Sequence, residues 1–194
     1  GILIGCYIGK LAGNYRLVLL HSLIAGILWV YSKYVKNTFL IGNILVAIAS
    51  SAVVLTYFIF ESLGYMRAYG DILKINFKSL IGGPLNVLWL YSLGLAIFGF
   101  LLSIIREMIK DLQDYQGDFD VGASTISIVI GEKATKTIII LLTLLLAFSL
   151  IYILHFKLDI TPFNEYSFVV YTWLLVITPT IDIIFNVIKS KKSE

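Results

Sequence analysis

Four stretches of this chain stay apolar for about twenty residues at a time: Thr38–Phe60, Pro84–Ile105, Thr137–Phe156 and Tyr166–Ile188. A helix rising about 1.5 Å per residue needs roughly 20 such residues to cross a ~30 Å hydrocarbon core. Inside lipid every backbone N–H and C=O must find a partner within the protein, which leaves helices or closed barrels. Leu17–Ser32 is shorter but spans if its flanking residues snorkel, and Gly1–Gly9 reads as the end of a further helix. Composition agrees: 59% of the 194 residues are hydrophobic and 14% are charged, where soluble domains carry about 25% charged residues. The pattern predicts an all-α, polytopic transmembrane helix bundle. Small residues inside the runs, Gly26, Gly42, Ser50, Ser51, Gly94 and Gly99, are expected to let helices approach closely.

Several classes of function drop out early. The net charge of +3 comes with no dense basic cluster, so no nucleic-acid partner is expected. Cys6 is the only cysteine, which excludes an internal disulfide and a cysteine-based metal site. His21 and His155 lie in different runs and read as packed or interfacial side chains. The apolar start at Gly1 has no charged leader region, so the chain is expected to be one transmembrane domain over 1–194, incomplete at both ends. Successive crossings would place the linkers 33–37 and 106–136 and the tail from Lys189 on one face of the membrane. Linkers 10–16, 61–83 and 157–165 would lie on the other. Lys and Arg favour the first face nine to six, which makes it cytoplasmic. Linker 61–83 is expected to be an interfacial amphipathic connector, with Gly82, Gly83 and Pro84 opening the next span.

Carboxylates concentrate between two greasy runs, at Glu107, Asp111, Asp114, Asp118 and Asp120. If the preceding span continues as helix, the first four fall within an arc of about 60°, flanked by Arg106 and Lys110. Like charges at i,i+4 repel by a few tenths of a kcal/mol, a cost that a bound cation removes. These are hard oxygen ligands, suited to Mg²⁺ held jointly with phosphate oxygens and water. A solvated loop whose acids merely keep it wet accounts for the same residues, and composition leaves both readings open. Asp182 is the one acid inside a span, a functional candidate on that ground.

The wording of the acidic stretch narrows the choice. KDLQDYQGDFDVGASTISIVIG, Lys110 to Gly131, resembles the second aspartate-rich motif of the UbiA-type intramembrane prenyltransferases, K-D-x-x-D-x-x-G-D-x-x-x-G-x-x-T-x-P. YSKYVKNTFLIGN, Tyr31 to Asn43, is similar to that family's Y-[ST]-x-x-[LV]-K-[RN] loop leading into a G-N pair. The resemblance spans essentially the whole chain, leaning toward the branch that transfers geranylgeranyl groups to geranylgeranylglyceryl phosphate. It implies a bundle of nine transmembrane helices, of which about six are present. It also implies Mg²⁺-dependent transfer from a prenyl diphosphate to a lipophilic acceptor in the membrane lipid. By motif position, Asp114 and Asp118 would ligate the metal, with Asp111 a third acid of the same catalytic site. Lys36, together with Lys33, would meet the diphosphate, as would Lys110 and Arg106 unless they are ordinary membrane-surface cations. Asn43 would contact substrate or hydrogen-bond a neighbouring helix.

Three departures from the pattern stand out. The family's first motif, N-x-x-x-D-x-x-x-D, occurs nowhere in the 194 residues, and the resemblance puts it upstream of Gly1. Ser124 stands where the family has a basic residue, and Ser127 where it has proline. Among rival readings, a CDP-alcohol phosphotransferase requires D-G-x-x-A-R, which is lacking. An aromatic acceptor in place of geranylgeranylglyceryl phosphate stays open, as does a transporter with a cation site.

Overall fold

The apolar runs fold as helices that overrun them. A computed structural model of the chain describes residues 2–11, 16–35, 38–73, 86–156, 170 and 173–189, with no strand among them. Helix α1 is Ile2–Leu11, and α2 is Arg16–Val30, continued by a π-helical turn over Tyr31–Val35. Helix α3 runs from Ile41 to Leu73 and α4 from Asn86 to Gln113. Two short helices follow, α5 (Tyr115–Asp120) and α6 (Ile126–Val129), before α7 (Glu132–Phe156). A second π-helical turn, Trp173–Ile177, leads into α8, Thr178–Lys189. Among the described residues four helical segments are long and apolar enough to cross a membrane: Val18–Val35, Ile41–Tyr69, Leu88–Gln113 and Glu132–Ile153. The chain is an all-α integral membrane protein.

The connector expected over 61–83 is not a separate element in its described part. Residues 61–73 do not form a separate interfacial element but extend α3, which has 33 residues and is therefore about 50 Å long. The local reason is composition: Glu61 to Leu73 has no proline, and its leucine, methionine, alanine and arginine are good helix formers. The remainder of that connector, with Gly82, Gly83 and Pro84, lies outside the described residues, as does the first part of the Tyr166–Ile188 span.

Hydroxyl side chains ride inside apolar helices by bonding to their own backbone. Ser50 donates to the Val46 carbonyl at 3.0 Å, Thr56 to Ala52 at 2.7 Å, Thr143 to Ile139 at 2.7 Å and Ser149 to Leu145 at 2.7 Å. Each is an i−4 bond, so the polar group is satisfied without another helix. The second π turn uses the same device over a longer step, Thr178 donating to the Trp173 carbonyl at 3.0 Å. Large apolar side chains such as Leu90, Leu95, Leu141, Leu145 and Phe148 point outward, as a lipid-facing surface does.

The chain divides into two compact units, Gly1–Ile104 and Ile105–Glu194. In the first, α2 packs against α1 and α3, and the π turn packs on α2 and α3. Phe58 of α3 stacks on Trp89 of α4 with ring centroids 4.9 Å apart. Small buried residues, Ala47, Ala49, Ser62, Ser92 and Ala96, line the packed faces. The glycines divide differently from expectation. A Cβ at Gly26, Gly94 or Gly99 would meet nothing within 4 Å, whereas one at Gly5 would lie 2.9 Å from the Cβ of His21. Close approach therefore rests on Gly5, on Gly42 and on alanine and serine, not on Gly26, Gly94 or Gly99.

The end of the π turn and the start of α3 lie against each other. The Val35 carbonyl accepts both the Thr38 N–H at 3.0 Å and the Thr38 hydroxyl at 2.7 Å. Leu40 turns the chain with φ of 57°, a left-handed conformation that costs a residue with a Cβ about 1–2 kcal/mol. Gly42 then passes so near that an added Cβ would stand 2.9 Å from the Val35 oxygen and 3.2 Å from the Tyr31 ring. Overpacking of this kind typically costs about 1–3 kcal/mol. Gly42→Ala is expected to lower the thermal unfolding midpoint in detergent or nanodiscs by several degrees. Gly94→Ala, with open space at its Cβ, is expected to hold or raise it. Equal midpoints for the two variants would contradict this packing.

Candidate functional site

The acidic segment begins where a membrane helix ends. The helical ladder of α4 stops at Gln113, and Asp114 (φ −87°, ψ 3°) interrupts it before α5 resumes at Tyr115. The Asp114 N–H still reaches the Lys110 carbonyl at 2.9 Å, and the Asp114 carbonyl accepts the Asp118 N–H at 2.9 Å. Asp114 makes no side-chain capping bond, so its carboxylate is not spent on the helix it begins. The supposition of one continuing helix, which put four acids in one arc, therefore holds only as far as Gln113. Glu107 drops out of the set: it is buried, and its carboxylate takes the Arg106 guanidinium at 2.6 Å.

Two glycines steer the chain out of α5 and into α7. The Ala123 N–H bonds the Asp118 carbonyl at 2.9 Å, and the Gly122 N–H bonds the Phe119 carbonyl at 3.1 Å. That pair, with φ of 67° at Gly122, is a Schellman termination, for which glycine is the usual residue. Thr125 takes extended backbone and begins α6, its carbonyl accepting from Ile128 and Val129 at 3.2 and 3.0 Å. Gly131, at φ of 85°, makes the second left-handed turn. Helix α7 opens directly after it, the Thr135 hydroxyl donating to the Gly131 carbonyl at 2.9 Å and Glu132 pairing with Lys136 at 2.7 Å.

The segment is closed by a contact that motif reading passes over. Ser127, with no exposed surface, donates its hydroxyl to the Asp111 carbonyl at 2.8 Å. Asp111 sits in the last turn of α4. The Ser127 oxygen also lies 3.3 Å from the buried Thr125 hydroxyl. In the sequence Ser127 showed only as a departure from a motif.

The expected site residues are distributed as follows. Asp111 and Asp118 are half-buried and Asp114 is exposed, while Lys110 is half-buried in the last turn of α4. Arg106 is exposed and engaged by Glu107. In the other unit, Lys33 lies on the π turn with its Nζ 5.1 Å from the Trp29 ring centroid and 5.3 Å from that of Tyr34. Such cation–π contacts, on aromatic rings typical of a membrane interface, hold the ammonium near the surface. Asn43 is buried in the first turn of α3 and has a partner there. Lys36 lies outside the described residues. In the second unit, exposed Asp182 accepts the Asn186 amide at 3.0 Å, one turn along α8.

Among the described residues no three His, Cys, Asp or Glu side chains gather closely enough to hold a metal by themselves. Asp111, Asp114 and Asp118, the acids that the resemblance offers as ligands, are all carboxylates, the donor type that Mg²⁺ takes together with water and phosphate oxygens.

Comparison with known proteins supplies a lineage. The profile of the UbiA prenyltransferase family matches residues 1–184. Digeranylgeranylglyceryl phosphate synthase of Ignicoccus hospitalis is 28% identical over 131 residues, 68% of this chain and 36% of that protein. The protein of the same name from Methanospirillum hungatei is 30% identical over 109 residues, 56% of this chain and 31% of its own length. That from Pyrococcus furiosus is 48% identical over 44 residues, 23% of this chain and 16% of its own length. The matched part thus spans about a third or less of each of these relatives. No solved structure matches.

The left-handed glycines make the loop's construction testable. Gly122→Ala forces a Cβ into φ of 67° and is expected to destabilise by about 1 kcal/mol. Asparagine tolerates that conformation better, so Gly122→Asn is expected to cost less. Thermal unfolding of the two variants side by side reads the difference, and an alanine variant as stable as wild type would contradict the Schellman geometry.

Proposed function

The chain belongs to the UbiA prenyltransferase family, and on that premise we propose that the protein moves a prenyl group from a prenyl diphosphate to a lipophilic acceptor within the membrane. The acceptor we assign is geranylgeranylglyceryl phosphate, in line with the names borne by the relatives it resembles. One observation carries the reading. A long lipid-type helix ends in an acid-bearing segment whose backbone breaks at Asp114 and in which the Asp114 carboxylate is not consumed in capping.

The chemistry asked of such a site is to make diphosphate leave. Mg²⁺, when bound, would neutralise phosphate oxygens and so improve the leaving group. Asp114 and Asp118, with Asp111, are the residues proposed to hold that ion. Lys110, half-buried beside them, adds positive charge where negative charge develops on the departing group. Arg106 is proposed as a second contact, with the difference that Glu107 already offsets much of its charge. Lys33, Lys36 and Asn43 enter on sequence alone, as the diphosphate and substrate contacts that the Tyr31–Asn43 resemblance implies. The acidic segment would face the cytoplasm, following the positive-inside balance. The apolar helices exclude water, so an allylic cation is captured by the acceptor and not by solvent.

In the full-length protein, Asp114→Asn and Asp118→Asn are each expected to lower prenyl transfer at least about a hundredfold. The assay uses radiolabelled geranylgeranyl diphosphate and geranylgeranylglyceryl phosphate in nanodiscs, with EDTA abolishing turnover and Mg²⁺ restoring it. Undiminished transfer by both variants refutes the site. Preferential labelling of 4-hydroxybenzoate would keep the reaction and replace the acceptor.

A further inference from the structure

We propose that Ser127 is a positioning residue whose hydroxyl, by clamping the Asp111 carbonyl, fixes the direction in which the Asp111–Asp118 segment presents its carboxylates. The inference rests on the metal reading above and adds to it a residue that contributes no ligand.

The segment from Asp111 to Ser127 is a loop joined at its two ends. At one end, Ser127 is wholly buried and its hydroxyl donates to the Asp111 carbonyl at 2.8 Å. The contact links residues sixteen apart in sequence and meets a backbone carbonyl in the last turn of α4. Buried neighbours support it: Thr125 is 4% exposed, Ile126 is 5% exposed and Ala123 is 8% exposed. Between the ends the chain makes the break at Asp114, the single turn-and-a-half of α5 and the Schellman turn. Compact loops with adjoining ends and internal packing are a recurrent way to hold functional residues.

Without the clamp, α5 has little to hold its angle. It has six residues, none of them buried, so its own packing does not orient it, and helices this short are not stable alone. Its direction is set instead by the connections at either side, Lys110 to Asp114 before it and Ala123 to Ser127 after it. Asp114 and Asp118 lie between those two connections. Removing the Ser127 hydroxyl deletes this contact across sixteen residues and frees one side.

The test uses full-length protein in nanodiscs, comparing wild type with Ser127→Ala, Ser127→Thr and Asp118→Asn. Hydrogen–deuterium exchange over 112–123 without metal reads the clamp. Mn²⁺ affinity in the presence of inorganic pyrophosphate, followed by electron paramagnetic resonance, reads the carboxylates. Ser127→Ala is expected to speed exchange across 112–123 and to weaken Mn²⁺ binding about tenfold, raising KM for prenyl diphosphate while kcat stays within about threefold. Ser127→Thr keeps the hydroxyl and is expected to restore both readouts toward wild type. Unchanged exchange in Ser127→Ala, or faster exchange with unchanged Mn²⁺ affinity, overturns the proposal. If Ser127→Ala fails to assemble, the threonine variant decides: wild-type Mn²⁺ affinity supports the clamp, and a tenfold loss despite the hydroxyl overturns it. Equal Mn²⁺ affinity in Asp118→Asn and wild type would instead sink the metal reading, and the exchange comparison would still report on the clamp.

Discussion

The fold follows from the rule that backbone groups need a partner in lipid, and the side-chain hydroxyls described above keep to it too, with the buried Ser62 hydroxyl as an exception. The rule selects helices, and it dictates how polar residues travel inside them. Ser50, Thr56, Thr143 and Ser149 each turn back to a carbonyl of the preceding turn, so serine and threonine cost little at these depths. Charge cannot be absorbed in this way. Carboxylates and ammonium groups are pushed to where helices stop, and so the chemistry gathers at a helix end.

At that end the chain swaps one kind of order for another. Along α4 geometry is enforced by the repeated backbone ladder. From Asp114 to Gly131 it is enforced by a handful of particular residues: an aspartate at a break, two glycines in left-handed conformation, and two buried hydroxyls. Each acts at a point where the ladder cannot. The Tyr31–Gly42 loop is built on the same plan, with the Val35 carbonyl as a double acceptor and Gly42 admitted against it. The difference is that Leu40 adopts the left-handed turn there without a glycine's freedom.

Hydropathy made the helices legible, because twenty apolar residues admit few other conformations. It could not mark where they end, since helix propensity persists after apolarity fades, as α3 shows from Glu61 to Leu73. The acids at Asp111, Asp114 and Asp118 were legible as a group through their spacing, and Gly122 through the motif. Their mutual arrangement was not, because it turns on the break at Asp114. That break follows no period: aspartate sits equally well within a surface helix or at its start, and only tertiary contacts decide. Ser127 was hidden for the same reason. Its partner is a backbone carbonyl sixteen positions away, and backbone groups carry no sequence signature. The glycines misled in the other direction, Gly26, Gly94 and Gly99 being small without being close to anything.

The length of α3 has a consequence for the surroundings. Its membrane-compatible stretch alone, Ile41–Tyr69, has 29 residues, about 44 Å against a hydrocarbon slab of about 30 Å. Leaning over would need close to 47°, beyond the range of about 0–40° that such helices occupy. Some of this rod must therefore stand among the lipid headgroups. A thinner or thicker bilayer changes how much of Glu61 to Tyr69 is wetted, and the protein is thereby matched to hydrophobic thickness through one surplus of helix.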